Sequence, residues 1–457
     1  MQNGLKEDRP EEACGIFGIY DPGKELARTT CYALFALQHR GQESAGIAVA
    51  DGEDIHLKKG VGLVSEVFPT LGRLEQIRGV SAIGHVRYAT TGASRPENAQ
   101  PLLIHCRQGE LALAHNGNLV NANELRQRLE LDGSIFQTTT DSELVAHLVA
   151  RYGHGDLESS IKGVLPYLHG AYTFVFLTEN KLIGVRDPHG IRPLSLGKLG
   201  EHYVLASETC AFDTIGASFI RDIEPGEMVV IDEEGMRSLQ VLPSGRPALC
   251  VFEYIYFARP DSNINGQNVH LVRKKLGRRL AREYPAEADI VTGVPDSSIA
   301  AASGYAEELG LPYEVGLIKN RYIGRTFIQP TQALRDEGVK LKLNPVKMIV
   351  EGKRVAIIDD SIVRGTTSLR LVSMLFKAGA KEVHMRISSP PVVAPCYYGI
   401  NTPTYEELIG VRCSCQEICR EIGATSLNYL SREGMLETIG LPATSACDAC
   451  FTGEYIL

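Results

Sequence analysis

The chain has 457 residues, 44% of them apolar and 22% charged, and carries a net charge of −8 at neutral pH. That length exceeds one ordinary hydrophobic core and points to two domains. No apolar run reaches the roughly 20 residues that a bilayer span needs, and no basic stripe offers a footprint for nucleic acid, so the sequence predicts a cytoplasmic protein that touches neither membrane nor nucleic acid.

Residues 1–13, MQNGLKEDRPEEA, have no apolar stretch and do not read as a secretion signal. Short strands with period-two alternation follow: CGIFGIY from Cys14, GIAVA from Gly46, HLKKG from His56, SAIGHVRYA from Ser81, ELALAHNG from Glu110, AYTFVFL from Ala171, HYVLASE from His202 and EMVVID from Glu227. Helical periodicity interrupts them at about 27–38, 121–130, 141–152 and 157–168. Strand meanders with inserted helices predict an α+β layered domain over 14–245, closing where Pro and Gly punctuate LPSGRPALC.

From residue 246 the rhythm changes. Longer apolar strands, ADIVTGV and RVAIIDD, are each followed by a helical segment, SSIAAASGYAEELG and TTSLRLVSMLFKAGA, the signature of a parallel sheet with crossover helices over 246–403. The remainder, 404–457, reads as a helical tail that then bears cysteines. The chain shows no internal repeat. Its eleven cysteines are expected to be free thiols, because a reducing compartment disfavours disulfides.

Cys14 sits where the acidic leader meets the first strand. If residues 1–13 are removed, its α-amine becomes a general base with a pKa of about 7.7–8.0, able to take the thiol proton and later deliver it to a leaving amine. A thiol so activated performs acyl transfer. The plainer reading is a buried cysteine on a first strand.

In the second half, RVAIIDDSIVRGTTS ends an apolar strand in Asp359 and Asp360 and reaches Gly365, Thr366 and Thr367 at a helix start. Helix N-terminal amides, two hydroxyls and a glycine suit a phosphate, and the carboxylates suit sugar hydroxyls or a metal. This run resembles the phosphoribosylpyrophosphate motif of the type I phosphoribosyltransferases. VTGVPDSS is similar to that family's pyrophosphate loop, which implies Asp296 and Ser297 near Mg²⁺ and the diphosphate. KNRYIGRTFIQP resembles its lid, implying that Lys319, Arg321 and Arg325 cover the polyanion; alone it would be a solvated basic loop.

In the first half, LQHRGQESAGI, GHVRYATTG and AHNGNL, in this order after CGIFG, resemble the N-terminal-nucleophile glutamine amidotransferases. That resemblance implies a layered αββα fold, catalysis by Cys14, oxyanion donors in the Asn116 side chain and the Gly117 amide, and a glutamine clamp of Arg87 for the carboxylate and Asp141 for the ammonium. Residue by residue, an Asn-Gly hairpin turn at 116–117 and an Asp helix cap at 141 are the structural alternatives.

Together the halves resemble the glutamine phosphoribosylpyrophosphate amidotransferases, in the iron–sulfur type whose leader is cleaved. The resemblance implies that ammonia released at Cys14 attacks C1 of 5-phosphoribosyl diphosphate, giving 5-phosphoribosylamine, diphosphate and glutamate in the committed step of purine biosynthesis. It also implies a homotetramer inhibited by purine nucleotides, with Mg²⁺ held by Ser297, Asp359 and Asp360. Its four-iron four-sulfur positions fall on Cys250, Cys396, Cys447 and Cys450. Zinc fits the same thiolates on chemistry alone, and the resemblance selects iron. Cys413, Cys415 and Cys419, in CSCQEIC, read as ordinary cysteines on a helix and its approach, the alternative being that their spacing binds a metal or substitutes a ligand. Two competitors remain: a phosphoribosyl-diphosphate-sensing regulator without transferase activity, and a glutamine amidotransferase making amino sugars or asparagine, which the DDSIVRGTT run disfavours.

Overall fold

In the first strand, Gly15–Tyr20, apolar residues serve both faces: Phe17 and Ile19 pack under the helix Leu26–Leu37, while Ile16 and Tyr20 face a second sheet. Gly18 shares that inner face, where a Cβ would lie 2.9 Å from the Leu182 side chain. The structure, a computed structural model, describes residues 14–22, 25–88, 95–152, 155–320, 343–400 and 404–457. The leader, Arg321 and Arg325 lie outside these residues.

Two antiparallel sheets form the first half. One runs in the order Ser218–Asp222, Ser195–Leu199, His202–Ala206, Gly15–Tyr20, Ser81–Arg87, Ser44–Ala50, Ile55–Val61. The other runs Gly235–Gln240, Glu227–Asp232, Leu182–Arg186, Gly170–Leu177, Gly109–Leu119, Leu102–Cys106. A dry core that includes Ile83, Ala112, Val175 and Leu205 fills the space between them. Leu26–Leu37 covers the outside of the first sheet; Ala122–Leu131, Ser142–Tyr152 and Leu157–Val164 cover the second. The result is the layered αββα arrangement.

The second half holds a parallel sheet in the order Ile290–Gly293, Arg354–Asp359, Glu382–Ile387, Ser426–Tyr429. Ile290–Gly293 and Arg354–Asp359 are apolar on both faces because helices cover both. Thr366–Lys377 and Cys415–Ile422 pack on one side, and Val269–Glu283, Ile299–Leu309 and Arg432–Ile439 on the other.

Two expectations need correction. Asn116 and Gly117 are not a hairpin turn: they lie inside the strand Gly109–Leu119, paired with Thr173 and Tyr172 of the next strand. The tail is not purely helical, since Ser426–Tyr429 supplies the fourth strand of the parallel sheet and Ala446–Cys447 pairs in parallel with Leu249–Cys250.

Candidate active sites

Cys14 opens the first strand, and the register that pairs Gly15 with Val86 carries its thiol beside the end of Ser81–Arg87. The buried thiol donates to the Tyr88 carbonyl at 3.5 Å. Burial pushes its pKa up; the Tyr88 bond and Arg87 pull it down, and Asp141 and Glu43 push it up again. At neutral pH the thiol is therefore held protonated.

The groups that act on this thiol come from separate elements. Arg87 is buried and pairs with Glu43 at 3.5 Å. Asp141 accepts from the Leu119 amide at 2.9 Å and stands 3.5 Å from His115, which also touches Ser142 Oγ at 3.1 Å. Burial alone would raise the Asp141 carboxyl, but His115 and the Leu119 amide outweigh it and hold the carboxyl below its ordinary value. The side chain thus ties down the end of the Asn116 strand. His85 bridges the two sheets through His115 O at 2.9 Å.

Asn116 is fully buried, and neither its amide nitrogen nor its oxygen has a hydrogen-bond partner. Leaving such a group unmet costs about 1–3 kcal/mol. Gly117 follows at φ 144°, where a Cβ would sit 2.0 Å from Ala171 O. An orphan amide donor beside a glycine backbone is what a developing oxyanion needs.

Beneath Cys14 lies a buried ion network. Arg40 Nε donates to the Cys14 carbonyl at 3.1 Å, and its other nitrogens reach Glu208 and Glu253. Arg192 shares Glu253 at 3.1 Å and donates to Tyr398 O at 2.9 and 3.2 Å. All four charged side chains are fully buried, so each needs its partner.

In the second half, Asp359 and Asp360 stand buried at the carboxyl end of Arg354–Asp359. Ser298 Oγ donates to Asp359 at 3.0 Å, Ser297 Oγ to Asp360, and Ser361 Oγ to Asp360 at 2.7 Å. Gly365 at φ 85° opens the helix Thr366–Lys377, placing Thr366 and Thr367 in its first turn. Lys319 Nζ lies 2.9 Å from Asp296, beside a cavity of about 680 Å³ lined by Thr292, Pro295 and Tyr313. These hard oxygen donors fit Mg²⁺.

Cys250 is the register partner of Cys447, and the Cys450 carbonyl accepts from Val393 and Ala394 at 2.9 and 3.1 Å, bringing in the segment of Cys396. All four cysteines join one apolar cluster. Burial raises the Cys250 thiol to about 12, and Cys447 and Cys450 feel Cys250 and Cys396 as well. Among the described residues no His, Cys, Asp or Glu trio is grouped to hold a metal ion. By donor chemistry alone, four cysteine sulfurs from three segments are the ligand set that an iron–sulfur cluster takes. Cys413, Cys415 and Cys419 instead donate to Glu421, Leu427 O and Ala424 O.

Residues 85–214 match the glutamine amidotransferase domain family, and 264–388 match the phosphoribosyl transferase domain family. An amidophosphoribosyltransferase from Bacillus subtilis is 57% identical over 97% of this chain and 94% of the relative; one from Archaeoglobus fulgidus is 51% identical over 97% of each. The chain belongs to the amidophosphoribosyltransferase family. A solved glutamine phosphoribosylpyrophosphate amidotransferase of B. subtilis, complexed with ADP and GMP, overlays with a TM-score of 0.92 at 56% identity, covering 97% of each chain. A second structure, of the allosteric regulatory enzyme of purine biosynthesis, overlays at 0.93 and 57% identity, covering 97% of this chain and 96% of the other. The chain is therefore an enzyme of purine biosynthesis, coupling glutamine amide release to phosphoribosyl transfer, and the sensor reading is not favoured.

Sequence reading missed Arg40, Arg192, Glu208 and Glu253. Arg40 lies inside the quoted run LQHRGQESAGI, and Glu253 follows Cys250 in CVFEYIYFARP. For Glu253 the available signal was a charge embedded in an otherwise apolar stretch; Arg40 sits in a polar run that gives none.

Proposed function

We propose that Cys14 is the glutaminase nucleophile once residues 1–13 are gone, and that Asp359 and Asp360 mark the acceptor site. The freed amine takes the thiol proton, and the sulfur attacks the amide carbon of glutamine. Asn116 Nδ2 and the Gly117 N–H donate to the oxyanion, while Arg87 pairs the substrate carboxylate and Asp141 its ammonium. Collapse breaks the C–N bond; the nitrogen takes the proton and leaves as ammonia. Water, deprotonated by the same amine, then cleaves the thioester to glutamate. The observation that carries this half is the unpartnered buried amide of Asn116.

Ammonia attacks C1 of 5-phosphoribosyl diphosphate, the bond to diphosphate breaks with its electron pair on the leaving oxygen, and one proton is lost. Gly365, Thr366 and Thr367 take the 5-phosphate at a helix N-terminus. Asp359 and Asp360 accept from the ribose hydroxyls, and Lys319, Arg321 and Arg325 cover the diphosphate. Mg²⁺, when held by Ser297, Asp359 and Asp360, offsets charge on the leaving group. A four-iron four-sulfur cluster on Cys250, Cys396, Cys447 and Cys450 would cross-link three segments.

The leader reading is supported by the chemistry of Cys14, whose nitrogen is an amide while Ala13 precedes it. Purine nucleotides as inhibitors are supported by the ADP and GMP bound to the B. subtilis enzyme. The homotetramer rests on the family and is read by light scattering. The cytoplasmic assignment is consistent with the described residues, where no helix is long and apolar enough to cross a membrane.

The test mixes the processed protein with glutamine, 5-phosphoribosyl diphosphate and Mg²⁺. Diphosphate and glutamate should appear in equal amounts; binding without diphosphate release would favour a sensor. Denatured mass should fall by the 13 leader residues, and native mass should exceed it by the cluster. A colourless protein with stoichiometric zinc would overturn the iron assignment.

A further inference from the structure

We infer that Gly399, which belongs to the phosphoribosyltransferase half, is a positioning residue for the glutaminase oxyanion site: the turn Cys396–Gly399 seats the Gly117 backbone. Gly399 adopts φ 100°, and a Cβ there would meet Gly117 C at 2.9 Å, Cα at 3.1 Å and O at 3.2 Å. On its other side, a Cβ on Gly117 would lie 2.0 Å from Ala171 O. The peptide is therefore held between the strand Gly170–Leu177 and a turn from the other half, with no side chain on either side to yield.

The turn is itself fixed. Asn118 Nδ2 donates to Tyr397 O at 2.9 Å, and Arg192 donates to Tyr398 O at 2.9 and 3.2 Å. The Tyr398 hydroxyl accepts from the amides of Ile456 and Leu457 at 2.8 and 2.9 Å, near the chain's end. Arg192 shares Glu253 with Arg40, and Arg40 holds the Cys14 carbonyl at 3.1 Å. One set of buried bonds thus seats both the nucleophile and the wall behind its oxyanion donors. A donor contributes fully only when aimed at the site of developing charge, and small misplacements cost rate more than binding.

This inference rests on the assignment of Asn116 and Gly117 as oxyanion donors, and its test separates the two. In the processed enzyme, Gly399→Ala should lower kcat for glutamine by about tenfold to a hundredfold, with KM for glutamine and the ammonia-dependent rate changed by less than about twofold. Inactivation by a diazoketone analogue of glutamine, whose carbonyl oxygen uses the hole, should slow by the same factor; alkylation of Cys14 by iodoacetamide, which needs no hole, should not. A folded Gly399→Ala with unchanged glutamine turnover overturns the inference, as does parallel loss of both activities. If that variant does not fold, Asn118→Ala, which loosens the turn, is read by the same split, and unchanged glutamine turnover overturns the inference. Asn116→Ala is the separate arm: full glutamine turnover in that variant defeats the oxyanion assignment itself, whereas its loss beside a normal Gly399→Ala defeats the positioning role alone.

Discussion

In the half that holds Cys14, the Asn116 amide and Nδ1 of His85 are buried without hydrogen-bond partners. Asn116→Leu, which keeps the volume and removes the orphan polar atoms, should raise the unfolding free energy by about 1 kcal/mol, while glutamine-dependent kcat falls about 10²–10³-fold. Urea unfolding and a glutaminase assay together check these opposite signs. Burial lowers the His85 pKa to about 3. The unfolded ring binds a proton below about pH 6.5, the folded one only near pH 3, so unfolding takes up a proton between those values and stability falls as the pH drops through that window. His85→Gln should flatten that acid limb in melting temperature against pH. Cys14, Asn116 and Asp359 were legible in the sequence because their chemistry sits in contiguous runs. Gly399 was not, since its reason lies 282 positions away in Gly117, and nothing short of the fold joins them.

The helices Val269–Glu283 and Ile299–Leu309 cross on reciprocal glycines: a Cβ on Gly277 would lie 1.8 Å from Ala301 O, and one on Gly304 1.9 Å from Lys274 O. Gly304→Ala should therefore destabilise by about 3 kcal/mol through overpacking, read by urea unfolding, despite its better helix propensity. Alternation and helical periodicity located most of the long elements of both halves, but not the 15-residue helix Val269–Glu283. They missed Leu182–Arg186, which is short and buried throughout, so no polar face marks it, and Glu382–Ile387, whose polar alternants His384 and Arg386 are buried like its apolar ones. They also missed Ser426–Tyr429, four residues between two helices, whose strand character comes from pairing with Glu382–Ile387. In each case tertiary burial decided what local pattern could not.

Across the whole molecule, the two halves are joined by buried charge. Arg40 and Arg192 lie in the amidotransferase half and Glu253 in the transferase half, and they balance one another without solvent. Arg40→Met leaves Glu253 and Glu208 with fewer cations and should cost about 3–5 kcal/mol in urea unfolding. It also frees the Cys14 carbonyl, so glutamine turnover should fall more than ammonia turnover. The network belongs to a protein with two chemically separate sites, one releasing ammonia and one consuming it. Cys14→Ala in the processed enzyme tests that division most directly. Diphosphate release with glutamine should vanish while release with free ammonia persists near the parent rate; loss of both together, or retention of glutamine-dependent release, would contradict it.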